Sequence, residues 1–162
     1  MKKHKIITII IPVAILILLI AITLFTYNRV IVGKGVDQTY LLPEGFEGCV
    51  AIYHSVQDAT PLKIKDNEIL YKVPEDGIIY TSSPMDFGWV KEDSSGSFEL
   101  SAYYIDSDGN RIKKVPQKNI LHGGNGTFSL TSEEYDSKDV RYQDITYQSF
   151  GSESKEYDCP EQ

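Results

Sequence analysis

Few residues in this sequence have the types and spacing that catalysis or metal binding requires. Neither Cys49 nor Cys159 has a CxxC partner, which argues against redox catalysis and against a zinc site built from a cysteine cluster. His54 and His122 could meet in space, but nothing in their spacing requires a metal site. The residues therefore imply no metal and no cofactor.

The two cysteines leave two interpretations open. In an oxidising compartment a Cys49–Cys159 disulfide would close a loop of about 110 residues. The other interpretation is a buried thiol at Cys49 and a free thiol at Cys159 in a C-terminal tail.

Two polar motifs resemble functional loops, and they are better explained as a flexible loop and a hairpin turn. His122-Gly123-Gly124-Asn125-Gly126 resembles an oxyanion-hole loop, but the sequence has no Gly-x-Ser-x-Gly nucleophile motif, so it predicts a flexible loop between strands. Asp106-Ser107-Asp108-Gly109-Asn110 lacks the glycine and glutamate positions of a calcium loop and predicts a hairpin turn. Adjacent carboxylates such as Glu75-Asp76 point to opposite faces of a strand and do not identify a catalytic pair.

Aromatic residues provide the candidate contacts. The chain has 11 tyrosines and one tryptophan, and exposed aromatic side chains are typical of binding faces. The alternative is that tyrosine simply suits half-buried strand positions. We predict that Phe87, Trp89 and Tyr103 contact a partner.

An N-terminal segment predicts how the chain is positioned in the cell. Residues 6–26 carry no charge, and a helix of 21 residues spans about 31 Å, close to the hydrocarbon thickness of a bilayer. Three lysines precede the segment and only Arg29 closely follows it, so the positive-inside rule puts the N-terminus in the cytoplasm. We expect an uncleaved single-pass signal anchor in the cell membrane; a cleaved signal peptide is the alternative.

The charge distribution excludes one class of partner. After residue 30 the chain carries 12 basic and 23 acidic residues, a formal net charge of −11. Nucleic-acid binding requires a cationic surface, so we expect no nucleic-acid partner.

The remainder of the chain has the pattern of short strands. Alternating apolar residues separated by Gly, Pro, Asn and Asp clusters predict seven or eight strands, at residues 38–42, 49–56, 68–73, 78–82, 98–105, 111–115, 126–131 and 140–150. Alternation favours antiparallel pairing, so we expect an all-β antiparallel sandwich or open barrel, preceded by one transmembrane helix. The predicted organisation is a cytoplasmic head (1–5), the transmembrane helix (6–27), a tether (28–36), an extracytoplasmic β domain (37–151) and an acidic tail (152–162).

Two similar segments carry a resemblance to a known family. YLLPEGFEG at residues 40–48 and YKVPEDGII at residues 71–79 each read as a strand followed by a Pro-Glu turn. They resemble an uncharacterised extracytoplasmic domain family of Bacillus-type bacteria. The resemblance implies a location outside the cytoplasm and no particular activity.

From these observations we expect a non-enzymatic binding module. It would be held at the bilayer by residues 6–27 and would recognise a protein or a cell-envelope polymer. A small envelope hydrolase that uses carboxylates and a purely structural envelope component are the alternatives. The sequence does not determine the oligomeric state.

Overall fold

The computed structural model describes residues 2–27, 33–130, 141–155, 157 and 159. Helix α1 (Lys2–Tyr27) comes first, and the strands follow in this order: β1 (Asp37–Pro43), β2 (Gly48–Tyr53), β3 (Ile64–Lys65), β4 (Glu68–Lys72), β5 (Ile78–Tyr80), β6 (Leu100–Ile105), β7 (Arg111–Lys114), β8 (Ile120–Leu130) and β9 (Arg141–Phe150). A short 3-10 helix, Gln117–Asn119, precedes β8. Residues 28–32 of the predicted tether and residues 156, 158 and 160–162 of the predicted tail lie outside the described part.

The strands form two sheets. One has five strands in the order β3-β4-β1-β6-β7, and the other has four in the order β5-β2-β9-β8. The prediction of a mostly β domain is therefore confirmed, and the arrangement is a pair of sheets that do not close into a barrel.

The prediction of antiparallel pairing is wrong for the central strands. β1 lies parallel to both β4 and β6, and β2 lies parallel to β5, so both sheets are mixed. The chain passes from one sheet to the other after β1 and again after β4, and it comes back so that β4 and β6 point in the same direction as β1. The alternating pattern indicates only that one face of each strand is buried, and it does not determine the direction of the neighbouring strand.

The two Pro-Glu turns are the corners at which the chain changes sheets. Phe46 N–H donates to the Pro43 carbonyl oxygen (3.1 Å), and Gly77 N–H donates to the Pro74 carbonyl oxygen (3.0 Å). The strands before the two corners pair in parallel with Tyr40 opposite Tyr71, 31 positions apart. The similarity between the two segments thus corresponds to two equivalent sheet-to-sheet crossings.

The core lies between the sheets and takes residues from both. Tyr40 stacks on Tyr71 with ring centroids 4.8 Å apart and tilts against Phe150 at 5.1 Å. The buried cluster comprises Tyr40, Leu42, Val50, Ile52, Ile69, Tyr71, Val73, Ala102, Val115, Ile120 and Phe150. This packing holds the two sheets together and fixes the walls of the space between them.

Helix α1 forms where the uncharged segment predicts a helix, and the side chains from Pro12 to Tyr27 are exposed. Within the described residues, no helix combines the length and the apolarity needed to cross a membrane. The structure therefore gives no support to the predicted transmembrane segment at residues 6–27.

Candidate functional site

A cavity of about 250 Å³ opens between the two sheets, and we refer to it as the inter-sheet cavity. Its volume lies just below the range of about 300–1,000 Å³ that is usual for drug-sized ligands, so it suits a single ring-sized group. Aromatic and apolar side chains dominate its walls: Tyr40, Leu62, Tyr71, Met85, Phe87, Trp89, Phe98 and Leu100.

Local turns position Phe87 and Trp89 in the cavity wall. Phe87 N–H donates to the Pro84 carbonyl oxygen (3.1 Å), and Trp89 N–H donates to the Asp86 carbonyl oxygen (2.9 Å). Gly88 between them has a φ of +85°, and a Cβ there would lie 3.1 Å from Ile69 Cδ1. A glycine is therefore needed for the segment to lie so close to the core.

The described residues that line the cavity include no charged side chain. Its polar residues are neutral: Gln38, His54, Ser95, Asn125, Thr146 and Gln148. Because an ion in this space would find no opposite charge, the cavity favours an uncharged ligand.

The hydroxyls of Tyr40 and Tyr71 are available to such a ligand. Tyr40 is 1% exposed and Tyr71 is 6% exposed, and neither hydroxyl has a hydrogen-bond partner among the described residues. Neither oxygen is fully enclosed by protein, and both residues line the cavity. Burial raises the pKa of Tyr71 to about 12, and burial raises the pKa of Tyr40 well above its usual value, so both hydroxyls keep their protons at neutral pH.

Two glutamines and the indole add further unpaired polar groups. Gln148 Nε2 donates to the carbonyl oxygens of Leu121 (3.0 Å) and Ser149 (3.3 Å), which leaves its Oε1 as an acceptor. The side chains of Gln38 and Trp89 have no hydrogen-bond partner in the described part of the chain. Donors and acceptors thus surround the same space as the aromatic rings.

His54 lies at the cavity wall in its neutral form. It is 3% exposed, its Nε2 lies 3.0 Å from Thr146 Oγ1, and its Nδ1 is enclosed with no hydrogen-bond partner among the described residues. Burial lowers the pKa of His54, while the Ser83 backbone carbonyl and the Asp144 carboxylate oppose that shift. The ring therefore adds no charge to the cavity at neutral pH.

The Gly123-Gly124 pair belongs to a strand, which corrects the prediction of a flexible loop. Both glycines lie in β8 and pair with Gln148 and Tyr147 of β9. A Cβ at Gly123 would lie 2.5 Å from Gln148 Oε1, and a Cβ at Gly124 would lie 2.7 Å from the Tyr147 hydroxyl. The glycines make room for two large side chains of the neighbouring strand, so flexibility is not their role.

Tyr103 lies apart from Phe87 and Trp89. It is on β6 and borders a groove on the opposite face of the five-stranded sheet, where the guanidinium of Arg111 lies 4.5 Å from its ring centroid. The structure brings two of the three predicted contact residues into one cavity and places the third elsewhere. Successive residues of a strand alternate faces, and Ala102 and Tyr104 face the core, so Tyr103 faces outward.

The groove beside Tyr103 contains Asp37, Asp66, Glu68 and Glu99, and we call it the carboxylate groove. The Glu99 backbone N–H (2.9 Å) and then Lys34 (3.1 Å) hydrogen-bond to Asp37 and lower the pKa of its carboxyl. Thr39 donates to Glu68, and Ser101 donates to Glu99 (3.4 Å). Among the described residues, no three His, Cys, Asp or Glu side chains are grouped so that they could hold a metal ion.

A disulfide joins Cys49 to Cys159, with their Cα atoms 5.3 Å apart. The sequence left this pairing open. The bond ties the C-terminal segment to β2, and Lys155 also pairs with Glu47, which directly precedes β2. Closing a loop of this length contributes up to about 4.7 kcal/mol in the chain-entropy description of disulfide stabilisation.

Sequence reasoning identified Phe87 and Trp89 but missed the polar residues of the same cavity. Tyr40 and Tyr71 occupy the same position before each Pro-Glu corner, which is the signal that could have placed them together. Gln38 and Gln148 carried no such signal, because their convergence depends on how the two sheets face each other.

Comparison with known proteins gives a family and a fold. No curated protein sequence matches the chain. The fold is similar to the 2.75 Å crystal structure of a "putative lipoprotein" from Bacillus anthracis, with a TM-score of 0.54, 19% identity, and 80% of this chain and 85% of that chain covered. Residues 34–156 match DUF6843, which is described as a family of unknown function. The expectation of an uncharacterised family is thereby confirmed, and the chain belongs to the DUF6843 family.

Proposed function

We propose that this protein is a non-enzymatic binding module of the cell envelope that holds an uncharged envelope component in the inter-sheet cavity. The observation that carries the proposal is the set of hydroxyl and amide groups around an uncharged, aromatic-lined space. The described lining of this cavity contains contacts that would orient a ligand and holds none of the paired carboxylates that glycoside hydrolysis requires.

The location outside the cytoplasm rests on three features. Residues 6–26 are uncharged, the described side chains of α1 are exposed, and the two cysteines form a disulfide, which is typical of oxidising compartments. The Bacillus anthracis protein of similar fold is described as a "putative lipoprotein". We propose that α1 tethers this chain to the membrane, with the N-terminus in the cytoplasm and the β domain outside.

The hydrolase alternative would use the carboxylate groove, where four carboxylates lie together. Three of them, Asp37, Glu68 and Glu99, already accept hydrogen bonds from the protein's own donors. A general acid needs a raised pKa, whereas hydrogen bonds lower the pKa of Asp37. The binding interpretation is therefore the better supported of the two.

Photo-crosslinking through Met85 tests the proposal, because Met85 lines the cavity and the only other methionine is Met1. Cells that express the full-length chain with a C-terminal tag would be grown with photo-methionine and irradiated, and the purified protein would be analysed by mass spectrometry. We expect an envelope-derived adduct on Met85. Met85→Leu removes the cavity label and is the negative control.

Two substitutions separate the cavity from the outer face in the same experiment. Trp89→Ala should reduce the Met85 adduct by about tenfold or more, because aromatic anchors contribute most to binding. Tyr103→Ala, in the carboxylate groove, should leave the adduct unchanged. No Met85 adduct, or an adduct that persists in Trp89→Ala, contradicts the proposed function.

The topology has its own test. External protease applied to intact cells should remove the C-terminal tag if the β domain faces outward. A tag that stays protected until the membrane is permeabilised would contradict the proposed location.

A further inference from the structure

We infer that the ligand of the inter-sheet cavity is a neutral sugar ring of a cell-envelope saccharide. This inference rests on the proposed function and specifies its ligand. Three properties of the cavity lead to it: its size, its uncharged walls and its unpaired polar groups.

Aromatic side chains provide the apolar part of the recognition. Phe87, Trp89 and Phe98 line the cavity with side chains that lie partly open. A pyranose ring presents C–H groups on its faces and hydroxyls around its edge. Such a ring packs its faces against aromatic side chains while its edge remains free to hydrogen-bond.

The polar groups match the edge of such a ring. The unpaired hydroxyls of Tyr40 and Tyr71 can donate or accept, Gln148 Oε1 accepts, and the Gln38 amide does both. A sugar hydroxyl is also both donor and acceptor, so several of these groups can be satisfied at once. The three side chains Tyr40, Tyr71 and Gln148 are more than nine-tenths buried, so they are fixed before the ligand arrives.

Other occupants fit less well. An acyl chain or an aromatic side chain of a partner protein would leave the buried hydroxyls and amides unpaired. An anionic sugar or a phosphate group would find no Lys or Arg among the lining residues that the structure describes. The volume of about 250 Å³ admits one ring, so a longer saccharide would enter by one residue.

Tryptophan fluorescence tests the inference directly, because Trp89 is the only tryptophan and lies in the cavity wall. The full-length protein, held in lipid nanodiscs, would be titrated with glucose, galactose, N-acetylglucosamine and their trisaccharides, and with glucuronic acid as the anionic comparison. We expect a saturable change in emission with at least one neutral saccharide and none with glucuronic acid.

Hydroxyl deletions identify the groups that bind. Tyr71→Phe and Tyr40→Phe keep the ring packing, and each should weaken saccharide binding by about tenfold, because a site built to hydrogen-bond discriminates strongly when a partner is lost. Tyr104→Phe is the matched control: its hydroxyl lies 3.4 Å from the Phe46 carbonyl oxygen and is outside the cavity lining. Saccharide binding should not change in that variant.

The outcomes separate this inference from the proposed function. If Met85 captures an envelope component that carries no sugar and no neutral saccharide alters Trp89 emission, the sugar inference is wrong while the binding function stands. If glucuronic acid binds as tightly as the neutral sugars, or if Tyr71→Phe and Tyr40→Phe bind as well as the unmodified protein, the assigned recognition is also wrong. If neither capture nor titration gives a signal, both the inference and the proposed function fail.

Discussion

The inter-sheet cavity and the carboxylate groove lie on opposite faces of the five-stranded sheet and differ in what their polar groups already contact. In the groove, Asp37, Glu68 and Glu99 accept hydrogen bonds from the protein itself. In the cavity, the hydroxyls of Tyr40 and Tyr71 have no partner among the described residues. Polar groups that are satisfied internally stabilise the fold, whereas unpaired groups held in a rigid wall are available to a ligand.

The two regions also differ in charge for a structural reason. The groove is on the outer face of the sheet, where carboxylates remain hydrated and cost little. The cavity lies between two sheets, where an unpaired charge would carry a desolvation penalty. Neutral hydroxyl and amide groups are therefore the polar groups that suit this space, and a ligand selected by them is expected to be neutral.

The largest expected effect on stability comes from substitution of Gly123, which lines the cavity beside Gly124. A Cβ at Gly123 would lie 2.7 Å from the Tyr147 carbonyl oxygen, a backbone atom that cannot move without disturbing the β8–β9 pairing. Gly123→Ala should lower the free energy of unfolding by about 1–3 kcal/mol and displace the Gln148 amide from the cavity. Chemical denaturation followed by Trp89 fluorescence measures the loss of stability.

Ser129→Ala is the control for this substitution, since Ser129 is exposed on the same strand and should change stability by less than about 0.5 kcal/mol. If Gly123→Ala is as stable as Ser129→Ala, the structure around Gly123 adjusts to a Cβ at little cost. This side of the cavity would then not be rigid.

The same glycines show where the sequence was insufficient. A His-Gly-Gly-Asn-Gly stretch predicts a loop from local propensity, and only the packing of Tyr147 and Gln148 against β8 makes it a strand. The alternating patterns located most of the strands, because one-sided burial has a local signature. The uncharged segment at residues 6–26 located the N-terminal helix. Parallel pairing had none, since it depends on the route that the chain takes between the sheets.

The candidate site was predictable to a similar extent. Phe87 and Trp89 were identified as candidate contact residues, and both line the cavity. Tyr103 was grouped with them although strand alternation turns it to the opposite face. The repeated Tyr and Pro-Glu segments also contained information about strand pairing. Their spacing of 31 residues equals the register at which β1 and β4 pair, and that pairing brings Tyr40 against Tyr71.

A pair of hydroxyl deletions compares the two regions directly. Thr39 is 2% exposed and donates to Glu68, so Thr39→Val should cost about 0.5–1.5 kcal/mol by removing that hydrogen bond from a carboxylate that stays partly hydrated. Tyr71→Phe removes a hydroxyl that bonds to no described residue and should change the free energy of unfolding of the ligand-free protein by less than about 0.5 kcal/mol. Urea denaturation measures the free energy of unfolding of both variants. If the two variants lose the same amount, the hydroxyls of the groove and of the cavity do not differ in whether the fold depends on them.

Protonation of His54 should weaken the fold on the cavity side. Burial lowers the pKa of this residue below its ordinary value of 6.5, so the unfolded chain takes up the proton more readily than the folded protein. The stability that neutral His54 contributes is present above about pH 6.5 and is lost as the pH falls below that value toward the folded-state pKa. Thermal melting between pH 7.5 and pH 5 should show this loss in the unmodified protein and not in His54→Gln.

His122→Gln is the matched control for the histidine, because His122 is exposed on β8. It should retain the pH dependence of the unmodified protein. If His54→Gln retains it as well, the enclosed ring is not its source.

Asp37 should give the smallest effect, in a different pH range. The Glu99 backbone N–H and Lys34 stabilise its carboxylate and hold its pKa below the ordinary value of 3.8. The contribution to stability is present above that ordinary value and is lost as the pH falls through the folded-state pKa. Asp37→Asn should therefore melt at a slightly lower temperature than the unmodified protein at pH 7, and the difference should vanish when both are measured well below pH 3.8.

Glu75→Gln, at an exposed corner carboxylate, should match the unmodified protein at both pH values. A difference for Asp37→Asn that persists in acid would mean that its side chain acts through packing, and the groove would then resemble the cavity in depending on shape more than on charge.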